Sequence, residues 1–194
     1  KNMKFPENCG DEELEDGYRL LEAYLGGLDA AAGAVAVDCV ESAGAVAAAE
    51  VLDDLAVDYA RVFLSAGVAQ GMAAFPYESV YTSKKRLMMQ DAREAVAAAY
   101  AKAGLKPGAD MYHAPEDHIG LEFEYMAHLC AGAPVTEQQE FFKAHLQNWV
   151  YTFTTEVLKY AQTDFYRAVS KITRGFMNME QRLMAAPKDF AVLQ

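Results

Sequence analysis

Apolar residues recur at steps of three and four along nearly the whole chain. Leu14, Tyr18, Leu21, Leu25 and Leu28 place one stripe on a single helical face. An alanine-rich segment from about Ala34 to Ala49 predicts a second helix, because alanine has the highest helix propensity and permits close packing. Leu52, Leu55, Tyr59 and Val62 mark a third, ending near Gly67. From Ala69 to Thr82 the period fails, and Pro76 biases Phe75 toward an extended backbone, so a long aromatic loop is expected there. Met89, Ala92, Val96, Ala99 and Ala103 restore the helical step as far as Gly104, where Lys106-Pro107-Gly108 signals a turn. Leu105 to Ala114 is therefore the best linker. Two strong helices close the chain. Phe142, Leu146, Trp149, Phe153, Val157 and Tyr160 define one, and Phe165, Val169, Ile172, Phe176, Met179 and Leu183 the other. No period-two strand of useful length occurs. The pattern predicts an all-α fold, a compact bundle of about seven helices forming one domain over residues 1–194.

The segment Pro115-Glu116-Asp117-His118-Ile119-Gly120-Leu121-Glu122-Phe123-Glu124-Tyr125-Met126 concentrates ionisable side chains at a predicted helix start. Proline suits a first helical turn, and Glu116 and Asp117 fall where the helix dipole favours negative charge. Ile119, Phe123, Met126 and Cys130 share one face, while Leu121, Tyr125 and Leu129 form a second apolar stripe, so this helix is expected to be central. His118 and Glu122 lie one turn apart between the stripes and are expected to be partly buried and paired. Glu124 and His128 repeat the spacing on the polar face, as a solvated pair.

These residue types are also those of metal and acid-base chemistry. Histidine and carboxylates suit zinc or iron, but a di-iron bundle needs Glu-x-x-His steps and the chain contains none. His113 and His145 are not held to the cluster by any spacing. His118, oriented by Asp117 or tuned by Glu122, has the makings of a general base. Against this stands the lack of a Ser or Cys nucleophile motif, a phosphate loop or a cofactor fingerprint. A helical metal-dependent or acid-base enzyme using His118 and Glu122 is thus the alternative to a binding protein, and the residues by themselves leave both open.

Composition narrows the classes. With 53% hydrophobic residues, 23% charged and 11% aromatic, the chain has globular rather than disordered character. Seventeen Lys and Arg against 28 Asp and Glu give a net charge of -11, which opposes nucleic acid and anionic membrane and suits a basic partner. Cys9, Cys39 and Cys130 are odd in number and widely spaced, without a CxxC, so neither a disulfide framework nor a zinc site is expected and a reducing cytosol fits. The longest uncharged run, Val62 to Tyr77, has 16 residues and is broken by Gly67, Gln70, Gly71 and Pro76, too short to span a bilayer. Acidic residues between Asp11 and Asp16 do not read as a signal peptide. Lys84, Lys85 and Arg86 form a cationic run at an expected helix start, suited to an anionic group or to a solvated face.

Pro76-Tyr77-Glu78-Ser79-Val80-Tyr81, taken with Pro115, Asp117 and His118 and the following Glu122, Glu124, Tyr125 and Met126, resembles the signature of the TorD/DmsD/NarJ family of redox-enzyme maturation chaperones, in particular its TorD-like branch. The likeness runs through Asn148-Trp149 and Thr163-Asp164-Phe165-Tyr166-Arg167 and covers roughly residues 55 to 183. The chain departs from the pattern at Ala114, where a Glu often precedes the proline, at Thr82, and at Leu87-Met88-Met89-Gln90, where some members carry a glycine.

The resemblance implies a non-enzymatic cytoplasmic chaperone that uses no cofactor. It would bind the leader peptide and apoprotein of a molybdenum-containing oxidoreductase until the molybdopterin is inserted, proofreading the client before twin-arginine export. It also implies two sub-lobes, about 11–104 and 118–184, joined by a hinge at about 105–117. Peptide binding is carried over to Asp117, His118, Tyr77 and Tyr81, within a region that includes Pro115 and Glu122. A twin-arginine leader joins two guanidinium groups to an apolar helix-forming segment. Asp117, Glu116 and Glu78 are the expected partners of the arginines, and Phe75, Tyr77, Tyr81 and Met88 of the apolar part. The client's identity and the choice between a monomer and a domain-swapped homodimer stay open.

Overall fold

A computed structural model describes residues 10–35, 42–66, 73–106 and 114–185, with side-chain surroundings given outside 29–35 and 42–49. Among the described residues there are eight α-helices and no β-strand: α1 (Glu12–Val35), α2 (Ser42–Leu64), α3 (Glu78–Thr82), α4 (Asp91–Lys102), α5 (Ile119–Gly132), α6 (Val135–Ala144), α7 (Leu146–Tyr160) and α8 (Asp164–Ala185). The expected all-α fold is what the chain adopts. The second and third expected helices meet differently from the sequence expectation: α2 begins within the alanine-rich segment and runs unbroken to Leu64, while 36–41 lie outside the described residues. So do Cys9, Cys39, the start of the expected aromatic loop at 69–72, the Pro107-Gly108 turn and His113.

The described residues fall into two compact units, one drawn from 1–74 together with 154 onward, the other from 75–153. The hinge expected at 105–117 includes residues 107–113, which lie outside the described residues. In the first unit α1 packs antiparallel on α8. Asp11 caps α1, its Oδ1 accepting from the N–H groups of Glu13 at 3.1 Å and Leu14 at 3.2 Å. The helices approach closely because two glycines face across the contact. A Cβ on Gly175 would sit 2.5 Å from Leu14, and one on Gly17 would sit 2.8 Å from Ile172. Glu13 with Arg174, Asp16 with Lys171 and Asp11 with Arg182 form ion pairs between the two helices. Asp58, 1% exposed on α2, accepts from the backbone N–H groups of Gln162 and Thr163 and from the Thr163 hydroxyl, which orders the start of α8. Burial alone would raise its carboxyl; those hydrogen bonds and Arg61 at 2.9 Å bring it below the usual carboxylate range.

The second unit is built from α3 to α6 and the first half of α7. Gly104, at φ 73°, closes α4 in the left-handed conformation that its position in the sequence suggested, with Leu105 N–H donating to Tyr100 O at 2.9 Å. The helix expected from Phe142 onward is two helices. The chain breaks at His145 (φ −116°, ψ −82°), whose ring is drawn to Glu78 on α3. Tyr125 joins the layers: its ring lies 4.8 Å from that of Tyr100 and 4.7 Å from Phe141, and its hydroxyl donates to Ala99 O.

Candidate functional site

The two signature segments, 38 residues apart in sequence, are bound side by side within the second unit. Tyr77 and His118, the extended residues just before α3 and α5, lie against each other as a single antiparallel bridge. Glu78 N–H donates to Asp117 O and Ile119 N–H to Pro76 O, both at 3.0 Å. Proline at 76 supplies the carbonyl that this pairing needs and forfeits only a donor that it never uses. The Tyr77 and His118 rings meet edge to face, 5.3 Å apart.

Asp117 completes the joint. It is fully buried, and its Oδ2 accepts from the backbone N–H of Ser79 at 2.9 Å and from the Ser79 hydroxyl. The expected helix start at Pro115 is therefore corrected: Pro115, Glu116 and Asp117 form a turn before α5, His118 is the N-cap, and the Asp117 carboxylate serves the first turn of α3 instead. His118 Nδ1 accepts from Gly120 N–H at 3.1 Å, so its proton resides on Nε2. Burial holds the ring below its ordinary titration range, partly opposed by the Asp117 charge, so His118 is neutral at pH 7.

The pairing expected between His118 and Glu122 is also corrected. Glu122 is fully buried and turns inward, its Oε2 accepting from the indole N–H of Trp149 at 3.0 Å. Its Oε1 has no hydrogen-bond partner among the described residues, and the Glu78 carboxyl is its charged neighbour. Two neighbouring buried carboxyls oppose each other's ionisation. Burial, then the Glu78 charge, raises the Glu122 carboxyl well above the usual range, with the Trp149 bond working against them, which favours its protonated form. Glu78, 3% exposed, neighbours Glu122 and meets His145 Nδ1 at 2.8 Å. Two buried carboxyls thus lie between Trp149, bonded to Glu122, and the half-buried His145, bonded to Glu78.

The remaining predicted residues lie at or near the surface. Phe75, Tyr77, Tyr81, Pro115, Glu116 and His118 are half-buried, and Met88 is exposed. Glu116 is gripped by Arg93, with contacts of 2.5 and 3.1 Å; burial would raise its carboxyl, and the Arg93 bond lowers it overall. Tyr81 stacks on Trp149 with ring centroids 5.5 Å apart, and the Arg86 guanidinium lies 5.3 Å from the centroid of the Tyr81 ring.

Three consequences bear on chemistry. Glu122 lies behind Trp149 with no exposed surface, so it cannot reach a substrate as an acid or base. Among the described residues, no three His, Cys, Asp or Glu side chains converge as a metal-binding group. The carboxylates of Glu78 and Asp117 are likewise committed inside the fold, leaving Glu116, paired with Arg93, as the accessible one of the three acids expected to meet arginines. Sequence reasoning missed Arg93 and the roles of Trp149, His145 and Ser79 as partners of the buried acids. The one available signal was the single tryptophan, whose indole N–H needs an acceptor if it is buried.

With this geometry in view, the chain can be placed among known proteins. The family described as nitrate reductase delta subunit matches residues 8–155, and the chain belongs to it. The TorD-like resemblance is supported by relatives named chaperone protein TorD. That of Shewanella pealeana is 28% identical over 134 residues, covering 66% of this chain and 59% of the relative. That of Vibrio cholerae is 26% identical over 145 residues, covering 68% and 62%. A shorter match, 30% identical over 70 residues, links the chain to the protein of that name from Colwellia psychrerythraea, covering 36% of this chain and 30% of the relative. The chain spans about three fifths of the length of the first relatives it matches.

Proposed function

We propose that this protein is a non-enzymatic cytoplasmic chaperone for the maturation of a redox enzyme, binding the leader peptide and apoprotein of a molybdenum-containing oxidoreductase. It holds the client while the molybdopterin is inserted and delays its export until then. The observation that carries the reading is the joint itself: the two segments of the signature form one surface around Tyr77 and His118, braced from beneath by a buried acidic network. Such bracing fixes a recognition surface in advance and lowers the ordering cost of binding.

The roles divide by accessibility. Phe75, Tyr77, Tyr81, Pro115, Glu116 and His118 face the client, the aromatics taking the apolar segment and Glu116 one guanidinium. Glu78, Asp117 and Glu122 hold these residues in place. Titration of the purified protein with a fluorescent twin-arginine leader tests the reading. Saturable binding is expected, weakened roughly tenfold or more when both arginines become lysines, because lysine cannot make the bidentate contact. Equal affinity for both peptides, or none for either, would overturn it.

A further inference from the structure

The cationic run at Lys84-Lys85-Arg86 does not start a helix. It forms the loop between α3 and α4, and six consecutive residues from Lys84 to Met89 are exposed. The loop is firmly built. Arg86 N–H donates to Ser83 O at 3.1 Å, Leu87 N–H to Ser83 Oγ at 3.2 Å, and Gln90 N–H to Ser79 Oγ at 3.2 Å. Gln90 Nε2 donates back to the carbonyls of Met88 and Met89, and Arg86 lies over Tyr81.

Two of its residues, Arg86 at φ 52° and Met89 at φ 59°, hold the left-handed conformation that residues other than glycine seldom adopt. The bracing thus holds a strained backbone that presents Leu87, Met88 and Met89 to solvent at 51%, 38% and 58% exposure. Three cations followed by three exposed apolar side chains stand out in a chain of net charge -11.

We infer that this loop is a peripheral docking tip for an anionic lipid surface. The partner must be negatively charged and must also accept apolar side chains. All six residues are exposed along the loop that joins α3 to α4, and none of them lines the hollows around Tyr125. An exposed run that puts cations next to apolar side chains suits the boundary between anionic headgroups and acyl chains, which accepts both. Lys84 and Lys85 meet the headgroups while Leu87, Met88 and Met89 enter that boundary.

The contact is shallow and reversible, since no helix among the described residues is long and apolar enough to cross a membrane. The overall negative charge does not prevent it. At physiological ionic strength the field is screened beyond about 8 Å, so the lipid senses the loop and its neighbours Asp91 and Glu94 rather than the whole molecule. At very low salt the screening length grows to about 30 Å and the net charge repels, so binding is strongest at intermediate salt.

Co-sedimentation with phosphatidylglycerol-containing vesicles at physiological ionic strength tests this, with pure phosphatidylcholine vesicles as control. Binding to the anionic vesicles alone is expected. Lys84→Ala with Lys85→Ala should weaken it roughly thirtyfold, at about 1 kcal/mol for each cation near the surface. Leu87→Ser with Met89→Ser should weaken it at least tenfold, and Lys143→Ala with Lys159→Ala should leave it unchanged. All four side chains in the loop variants are exposed, and circular dichroism would confirm that they fold. No vesicle binding, equal binding to neutral vesicles, or loop variants that bind like the original would overturn the inference. Saturable leader binding by a protein that ignores vesicles would also do so, while leaving the chaperone reading in place.

Discussion

Replacing Glu122 by glutamine removes a proton-binding group from the buried carboxyl pair while keeping its shape. The substituted amide still offers an oxygen to the Trp149 indole and places its NH2 group beside Glu78, the two neighbours of the Glu122 carboxyl. What disappears is titration. Burial and the Glu78 charge raise the folded-state carboxyl, whereas an unfolded glutamate titrates near pH ~4.3. Between those two points the folded protein keeps a proton that the unfolded chain has released. The stability that the group contributes is therefore complete below about pH 4.3 and is lost as pH rises through the raised folded value, by up to about 1.4 kcal/mol for each pH unit in the window. The Glu122→Gln variant has no such slope. The difference in unfolding free energy, variant minus original, should grow with pH at that rate and then level off. At a typical urea dependence of about 1–3 kcal/mol per molar, this moves the midpoint gap by roughly 0.5–1.4 M for each pH unit. Urea titrations at a series of pH values, followed by tryptophan emission, provide the assay, because the chain's single tryptophan is the residue bonded to Glu122. Parallel stability curves for the two proteins would refute the claim that Glu122 is protonated in the folded state.

Other substitutions test the joint and the first unit. Asp117→Ala should cost about 2–4 kcal/mol in urea unfolding, since it leaves the buried Ser79 N–H and hydroxyl without their charged acceptor; a loss under about 1 kcal/mol would show that the joint is not held this way. Gly175→Ala should lower stability by about 1–3 kcal/mol through the clash with Leu14, and an unchanged melting temperature would contradict the close α1–α8 approach. Asp58 has a lowered carboxyl, so its contribution is present above the unfolded value of about pH 3.9 and fades as pH falls through the folded one. Asp58→Asn should therefore be less stable at neutral pH and show a flatter acid limb in thermal unfolding; an acid limb as steep as the original would count against it.

The helices were legible because their apolar residues step by three and four, a signal that depends on nothing beyond the chain itself. Gly104 was legible as a helix stop for the same local reason. The site was legible only as two separate segments. That Asp117 would cap α3 rather than its own helix, and that His118 and Glu122 would part, depends on partners 38 and 27 residues away. No periodicity reports such distances. The likeness to a family picked out the residues that matter, but burial reassigned them: of the acids expected to meet arginines, Asp117 and Glu78 lie inside the fold and Glu116 remains accessible. The break at His145 was hidden because Phe142, Leu146 and Trp149 keep helical spacing across it.

The central claim is that an accessible face around Tyr77 and His118 reads the client while the buried acids only brace it. Leader titration with a Tyr77→Leu, His118→Asn double variant tests this most directly, since asparagine preserves the N-cap of α5 and leucine preserves apolar bulk. The account predicts at least a tenfold loss of leader affinity with the urea midpoint close to that of the original protein. Undiminished affinity in a folded double variant would contradict it.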